Sequence, residues 1–199
     1  MAVPARRLWS FIEYIAWEQT QVEKHEYYDG QTIAMAGGTP LHSWVATRLA
    51  GLLMVALRGR PCAPYNTDLR VRVPATGLAT YPDLSVICGP LARDPEDRNT
   101  ATNPTVLVEV LSPSTERYDR GEKFEHYQQI PSLQDYVLVS TAPPKVEVFH
   151  RNTDGSWRYT RAGPGETVII ASVDVRLSVD EIYEGAPEEE LEPAAPSVG

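Results

Sequence analysis

Cysteine is almost missing from this sequence. Cys62 and Cys88 are the only two in 199 residues, far apart and in no metal-binding spacing. Two free thiols in a reducing, cytoplasmic setting are the default expectation. Long apolar runs are missing too. None reaches the roughly 18 residues needed to cross a bilayer, so no membrane span is expected. Met1 to Ser10 carries two arginines with no apolar core behind them, which speaks against a signal peptide. No internal repeat is visible. Positive charge is scarce as well. The net charge is −9, but seven acids and no Lys or Arg lie between Asp180 and Gly199, which leaves −2 for residues 1–179. A near-neutral body lacks the basic footprint of a tight non-specific DNA binder, and this counts against a nuclease.

The 42% of hydrophobic residues is ordinary for a globular protein, and the length suits one well-buried domain, assigned to residues 1–185. Residues 186–199 are acidic and rich in proline and alanine, with too little apolar content to fold, and read as a disordered tail.

Ser10-Phe11-Ile12-Glu13 has capping-box spacing and opens a helix over about 10–19. Asp29-Gly30 is a tight turn between a strand with Tyr27 and Tyr28 and a partner over 31–36. Thr39 caps a long helix over about 41–57, with Pro40 at its first position and Leu41, Val45, Leu49, Leu52, Leu53 and Ala56 at helical spacing. Residues 66–73 alternate with period two and read as one strand, 83–88 as the next, and 89–102 as a polar loop. Val106–Leu111 is apolar on both faces except at Glu109, the mark of a central strand. Asp119 and Glu122 form a second capping-box candidate, for a helix ending before Pro131. Strands follow at 135–140, 146–150, 157–161 and within 167–177. One mixed sheet covered by helices fits this order, an α+β fold with an N-terminal helix and hairpin and extra C-terminal strands.

Glu109 is the strongest chemical signal. A lone carboxylate inside an apolar strand costs several kcal/mol, roughly, unless it is paired or bound to a metal. The bland reading is a buried glutamate paired with a lysine or arginine. Asp83 alone reads as a turn aspartate. Taken together they say more: adjacent strands lie about 4.8 Å apart, so two carboxylates at matching heights can share a divalent ion, and oxygen ligands suit Mg²⁺ or Mn²⁺. Asp119, Lys123 and Tyr127 lie four residues apart, on one face if helical, with Phe124 and Tyr127 anchoring that helix to the sheet. Lys123 would then reach over the strand ends, able to orient or help deprotonate a water or to stabilise phosphate charge. Its bland reading is an exposed i,i+4 salt bridge to Asp119. Glu26 and His42 are second-rank candidates, Glu26 as a further metal ligand and His42 as a substrate or supporting residue; a lone histidine is more often structural. Ser112 and Ser114 have no histidine partner in sequence, so a serine hydrolase is not supported.

These residues sit in recognisable surroundings. Glu26-Tyr27-Tyr28-Asp29-Gly30, His42 before a long apolar helix, Pro82-Asp83-Leu84-Ser85-Val86, Val108-Glu109-Val110-Leu111-Ser112-Pro113-Ser114-Thr115, and Asp119 with Lys123 and Tyr127 before Ile130-Pro131-Ser132-Leu133-Gln134-Asp135-Tyr136 resemble the Uma2 family of restriction-endonuclease-like proteins. That family is assigned to the PD-(D/E)XK nuclease-like fold, and the likeness covers about residues 10–185. It implies Asp83 and Glu109 as metal-binding carboxylates. Where the usual nuclease pattern places its lysine this chain has Leu111, and the resemblance implies that Lys123 takes over the role from the following helix. Two departures, Val137 after Tyr136 and Gln31 after the Asp29-Gly30 turn, do not touch the site.

The leading expectation is therefore a Mg²⁺-dependent endonuclease acting on DNA, with Asp83 and Glu109 (and Glu26 for a second ion) holding metal, Lys123 positioning the nucleophile, and His42 and Tyr127 in supporting or substrate roles. The alternative is a catalytically inactive scaffold or binding protein of the same fold. A homodimer is expected in either case, through an apolar face on the C-terminal strands. A carboxylate-pair glycosidase is disfavoured, because no cluster of aromatics flanks either acid. What separates the first two is whether Asp83, Glu109 and Lys123 converge in a solvent-reachable cleft.

Overall fold

The structure, a computed structural model, describes residues 8–35 and 37–187. The expected tail over 186–199 therefore lies, from Glu188 on, outside the described residues. The first helix, α1 (Phe11–Glu18), is capped as its sequence predicts: Ser10 Oγ accepts from the Glu13 amide, and the Glu13 carboxylate accepts from the Ser10 amide. It buries Phe11, Tyr14 and Ile15. Strands β1 (His25–Tyr28) and β2 (Gln31–Ala34) pair antiparallel around Asp29 and Gly30, both with left-handed φ of 47° and 74°. Asp-Gly is the pair that tolerates this geometry. Helix α2 (Pro40–Ala56) starts at Thr39, whose Oγ1 accepts from the His42 amide, and buries Leu41, Val45, Leu49 and Leu53.

Next come β3 (Cys62–Asn66), β4 (Arg70–Arg72), β5 (Ala79–Thr80), β6 (Leu84–Cys88), β7 (Thr100–Ala101) and β8 (Val106–Leu111). After two short helices, α3 (Glu116–Arg120) and α4 (Glu122–Tyr127), the chain forms β9 (Asp135–Ser140), β10 (Lys145–Arg151), β11 (Trp157–Ala162), β12 (Thr167–Ile170), β13 (Val175–Ser178) and α5 (Val179–Tyr183).

The fold is α+β, but the strands do not form one mixed sheet. They form a five-stranded sheet in the order β2-β1-β5-β4-β7, a six-stranded sheet in the order β11-β10-β9-β8-β6-β3, and the β12-β13 pair. The strand expected at 66–73 is split between two sheets. Its beginning, Asn66, closes β3, whereas Arg70–Arg72 joins β5 and β7. The expected loop at 89–102 ends in β7.

The six-stranded sheet is covered on both faces. Val106, Val108 and Val110 of β8 meet Val45, Leu49 and Leu53 of α2 in one core. Leu107 and Leu111 meet Phe124, Tyr127 and Ile130 in the other. The period-two rule puts Glu109 on the second face, with Leu107 and Leu111, toward α4.

Two corrections bear on the chemistry. The helix expected to run from Asp119 toward Pro131 is broken at Gly121, whose φ −111° and ψ −102° end α3 and start α4. The capping box at Asp119 does not form, because its carboxylate is drawn into an ion cluster. The cysteines are not free thiols: Cys62 and Cys88 are register partners across β3 and β6, and they are disulfide-bonded. The pairing removes the premise on which a reducing compartment was expected. Alkylation of the denatured protein should leave both cysteines unmodified until a reductant is added, whereas labelling without reductant would contradict the pairing.

Helix α3 is tied to the sheet by Glu147 of β10. Its carboxylate accepts from Arg120 at 2.5 Å and Tyr159 at 2.5 Å, and Lys145 lies 3.1 Å away. Burial acts to raise its pKa, but these donors outweigh it and hold the carboxyl at about 2, below the usual 4.5. The depressed value means that its contribution to stability is fully present above pH 4.5 and is lost as pH falls toward 2. Glu147→Gln should therefore melt below wild type at neutral pH, and the gap should close across that acid window. A gap that stayed constant in thermal melts would rule this out.

Candidate metal and hydrolase site

The segment from β5 to β6 passes from one sheet to the other, and Tyr81-Pro82-Asp83 forms the joint. Leu84 is the register partner of Val108, so the antiparallel pairing sets Asp83 opposite Glu109. The backbone closes this joint twice. The Val110 amide donates to Asp83 Oδ2 at 2.7 Å, and the Asp83 amide donates weakly to Glu109 Oε2 at 3.4 Å. The matching heights expected of the two carboxylates are therefore met. Glu26 arrives from the other sheet, because Tyr27 of β1 pairs with Ala79 of β5 and Thr80 Oγ1 donates to Glu26 Oε1.

Lys123 does not point into solvent. Its side chain is 6% exposed, and its Nζ lies 3.0 Å from Glu109 Oε1, 3.1 Å from Glu26 Oε1 and 3.4 Å from Asp119 Oδ1. The Asp119 pair is thus one side of a buried cluster and not an exposed i,i+4 bridge. Burial works against the ammonium, yet the three carboxylates outweigh it and hold the pKa well above the ordinary lysine value. Burial likewise pushes the Glu109 carboxyl up, to about 8, against the pull of Lys123. The Asp119 carboxyl is raised for the same reason.

Tyr127 is fully buried and donates to Glu109 Oε1 at 2.8 Å from behind, away from the cleft. It positions Glu109, and a direct role toward substrate does not fit that place. His42 fits a supporting role: its Nε2 lies 3.2 Å from Asp83 Oδ2, and that hydrogen bond raises the imidazole pKa against the effect of burial. Gly38 leaves room for the ring, because a Cβ there would come within 2.7 Å of His42 Nδ1.

Asp83, Glu109, Lys123, Glu26 and His42 all line one cleft of about 430 Å³. Sequence reasoning brought these five together and undervalued Asp119. Its spacing from Lys123 was visible, but a broken helix hides which way such a pair faces. Ser112, Ser114, Thr115 and Tyr118 also line the cleft and carried no signal of their own. The apolar face expected on the C-terminal strands is small, with Tyr159 and Ile169 47% and 44% exposed.

The donor chemistry fits a hard divalent cation. Among the described residues no three His, Cys, Asp or Glu side chains form a ready ligand set. Two carboxylates face each other, however, and among the described residues Glu109 Oε2 has only the long Asp83 contact while Asp83 Oδ2 holds that residue's hydrogen bonds, leaving Oδ1. Mg²⁺ is commonly held by one or two carboxylates plus water, and Asp83 and Glu109 are the two that could hold it here. Among the described residues no helix is long and apolar enough to cross a membrane.

Comparison with known proteins bears on the fold and the family. A crystal structure from Anabaena variabilis, described as a putative nuclease belonging to DUF820, superposes with a TM-score of 0.69 over 86% of this chain and 95% of that one. At 18% identity this likeness speaks for the fold. Two uncharacterized proteins of Synechocystis are related in sequence. One, slr1290, is 43% identical over 173 residues (87% of this chain, 90% of the relative), and the other, sll1609, is 29% identical over 160 residues (80% and 90%). The family model described as "Putative restriction endonuclease" matches residues 11–180, and the chain belongs to that family, Uma2.

Proposed function

We propose that this protein is a Mg²⁺- or Mn²⁺-dependent endonuclease that hydrolyses phosphodiester bonds of DNA. Asp83 and Glu109 would hold the ion. The observation that carries this reading is the convergence of Asp83, Glu109 and Lys123 in one cleft across the β6–β8 pair. When bound, a divalent cation supplies Lewis-acid chemistry, lowering the pKa of a water and withdrawing charge from the scissile phosphate. The residues do the rest. Val110 and His42 orient the Asp83 carboxylate, while Tyr127 and Lys123 orient that of Glu109. Lys123 stays protonated, so it acts as a fixed positive charge that orients the nucleophile and stabilises developing phosphate charge, and not as a general base. Glu26 serves first as a partner of Lys123, and a second ion there would have to displace the ammonium.

One observation favours the alternative of an inactive scaffold of the same fold: Lys123 closes a ring with Glu26, Glu109 and Asp119 as a purely structural ion cluster would. Calorimetric titration with Mn²⁺ separates the two. Binding by wild type, weakened at least about tenfold in Asp83→Asn, is expected of a metal site oriented by its surroundings. Absence of binding to the folded wild-type protein favours the scaffold.

A further inference from the structure

Resting on the nuclease reading above, we infer that the cleft takes single-stranded DNA and not the duplex. The first reason is charge. Five acids line the cleft against two bases, Lys123 and His42. Lys123 is already committed to three carboxylates and His42 to Asp83. A second cleft of about 770 Å³ adjoins the first and shares Met35, Gly37, Gly38, His42 and Asp83 with it. The cation it adds is Lys24, which is paired with Asp68 at 2.6 Å. No arginine lines either cleft among the described residues. Binding of either form draws on Lys and Arg neutralising phosphates, the duplex more steeply, and these walls offer nothing of that kind, so a strand seated here must be held by contacts other than charge.

The second reason is shape. The carboxylates lie recessed, with side chains 5% exposed at Glu109 and 16% at Asp83, at the bottom of a cleft of about 430 Å³. A duplex is too stiff to bend one strand's phosphate down to them without a deformation cost. A single strand is not. The two clefts meet at Asp83, so a strand seated on it has room on both sides, as internal cleavage requires.

The third reason is the nature of the wall. Ile33, Ala34 and Met35 line the first cleft, and Ile33 is 50% exposed. An apolar wall has nothing to offer a phosphate, but it can pack against the face of a base. Only unpaired nucleotides present that face.

The test is the cleavage of one labelled 30-nucleotide DNA in Mn²⁺, as a single strand and as a blunt duplex. Wild type should cut the single strand at least about tenfold faster, since the cleft clamps the phosphates of neither form and only the single strand offers base faces to its apolar wall. Ile33→Ala, a change on the exposed side of β2, should raise KM for the single strand about threefold with kcat unchanged, as loss of a small apolar contact does. Equal or faster cutting of the duplex overturns the inference and leaves the nuclease reading intact. So does an unchanged KM in Ile33→Ala. Cleavage of neither probe by folded, Mn²⁺-binding protein removes the nuclease reading, and the inference falls with it.

Discussion

Lys123→Ala is expected to destabilise the protein by about 3–5 kcal/mol, the range seen when one partner of a buried ion cluster is removed. The reason is what the lysine leaves behind. Glu26, Glu109 and Asp119 are 6%, 4% and 3% exposed and share this ammonium. Without it their charges repel each other in a place with little water, and they must take up protons or pull the site apart. For a domain of this size the melting temperature should fall by about 10 °C. An exposed i,i+4 pair, the bland expectation for Asp119 and Lys123, would cost only about 0.3–0.5 kcal/mol. Thermal denaturation separates these values easily. The double variant Lys123→Ala/Glu109→Ala should lose less than the sum of the single losses, because the two side chains share one interaction. Strict additivity would mean that the cluster is not energetically coupled.

Asp83→Asn should behave in the opposite way, with little loss of stability and a loss of cleavage of at least about a hundredfold, comparable to removing one electrostatic stabiliser of a transition state. Asparagine keeps an oxygen able to accept from the Val110 amide, and the side chain is 16% exposed, so no charge is stranded. What it loses is the negative charge that a hard cation requires. Rates of oligonucleotide cleavage at saturating Mn²⁺, read beside a melting curve, check both halves. Full activity in Asp83→Asn would remove this residue from the metal site.

The contrast between these variants reflects how the site was legible. Glu109 stood out because one carboxylate interrupts a run of five apolar residues, a signal that survives without any knowledge of the fold. Asp83 became informative only through strand pairing, and the Leu84–Val108 register places it as two adjacent antiparallel strands would. Other features depended on distant partners. Strands β5 and β7 have two residues each, too few to show a period, so the division into two sheets left no local trace. Strand β3 carries Pro64, which reads as a strand breaker and is tolerated because β3 is the edge of its sheet. With β3 unrecognised, the pairing of Cys62 with Cys88 could not be foreseen. Helix α5 had no expectation of its own in the sequence, although Val179, Ile182 and Tyr183 form a buried stripe. Gly121 sits where helical spacing continues on both sides, and only its backbone angles reveal the break.

The central claim, that the carboxylates facing each other across β6 and β8 form a metal site, is tested most directly by anomalous diffraction from crystals grown with Mn²⁺. The account predicts a single strong peak at about 2.0–2.3 Å, the range of hard-cation oxygen ligands, from one oxygen of Asp83 and one of Glu109, with Lys123 still bound to Glu109. A peak elsewhere, or none at this pair in crystals of protein that binds Mn²⁺ in solution, would contradict it.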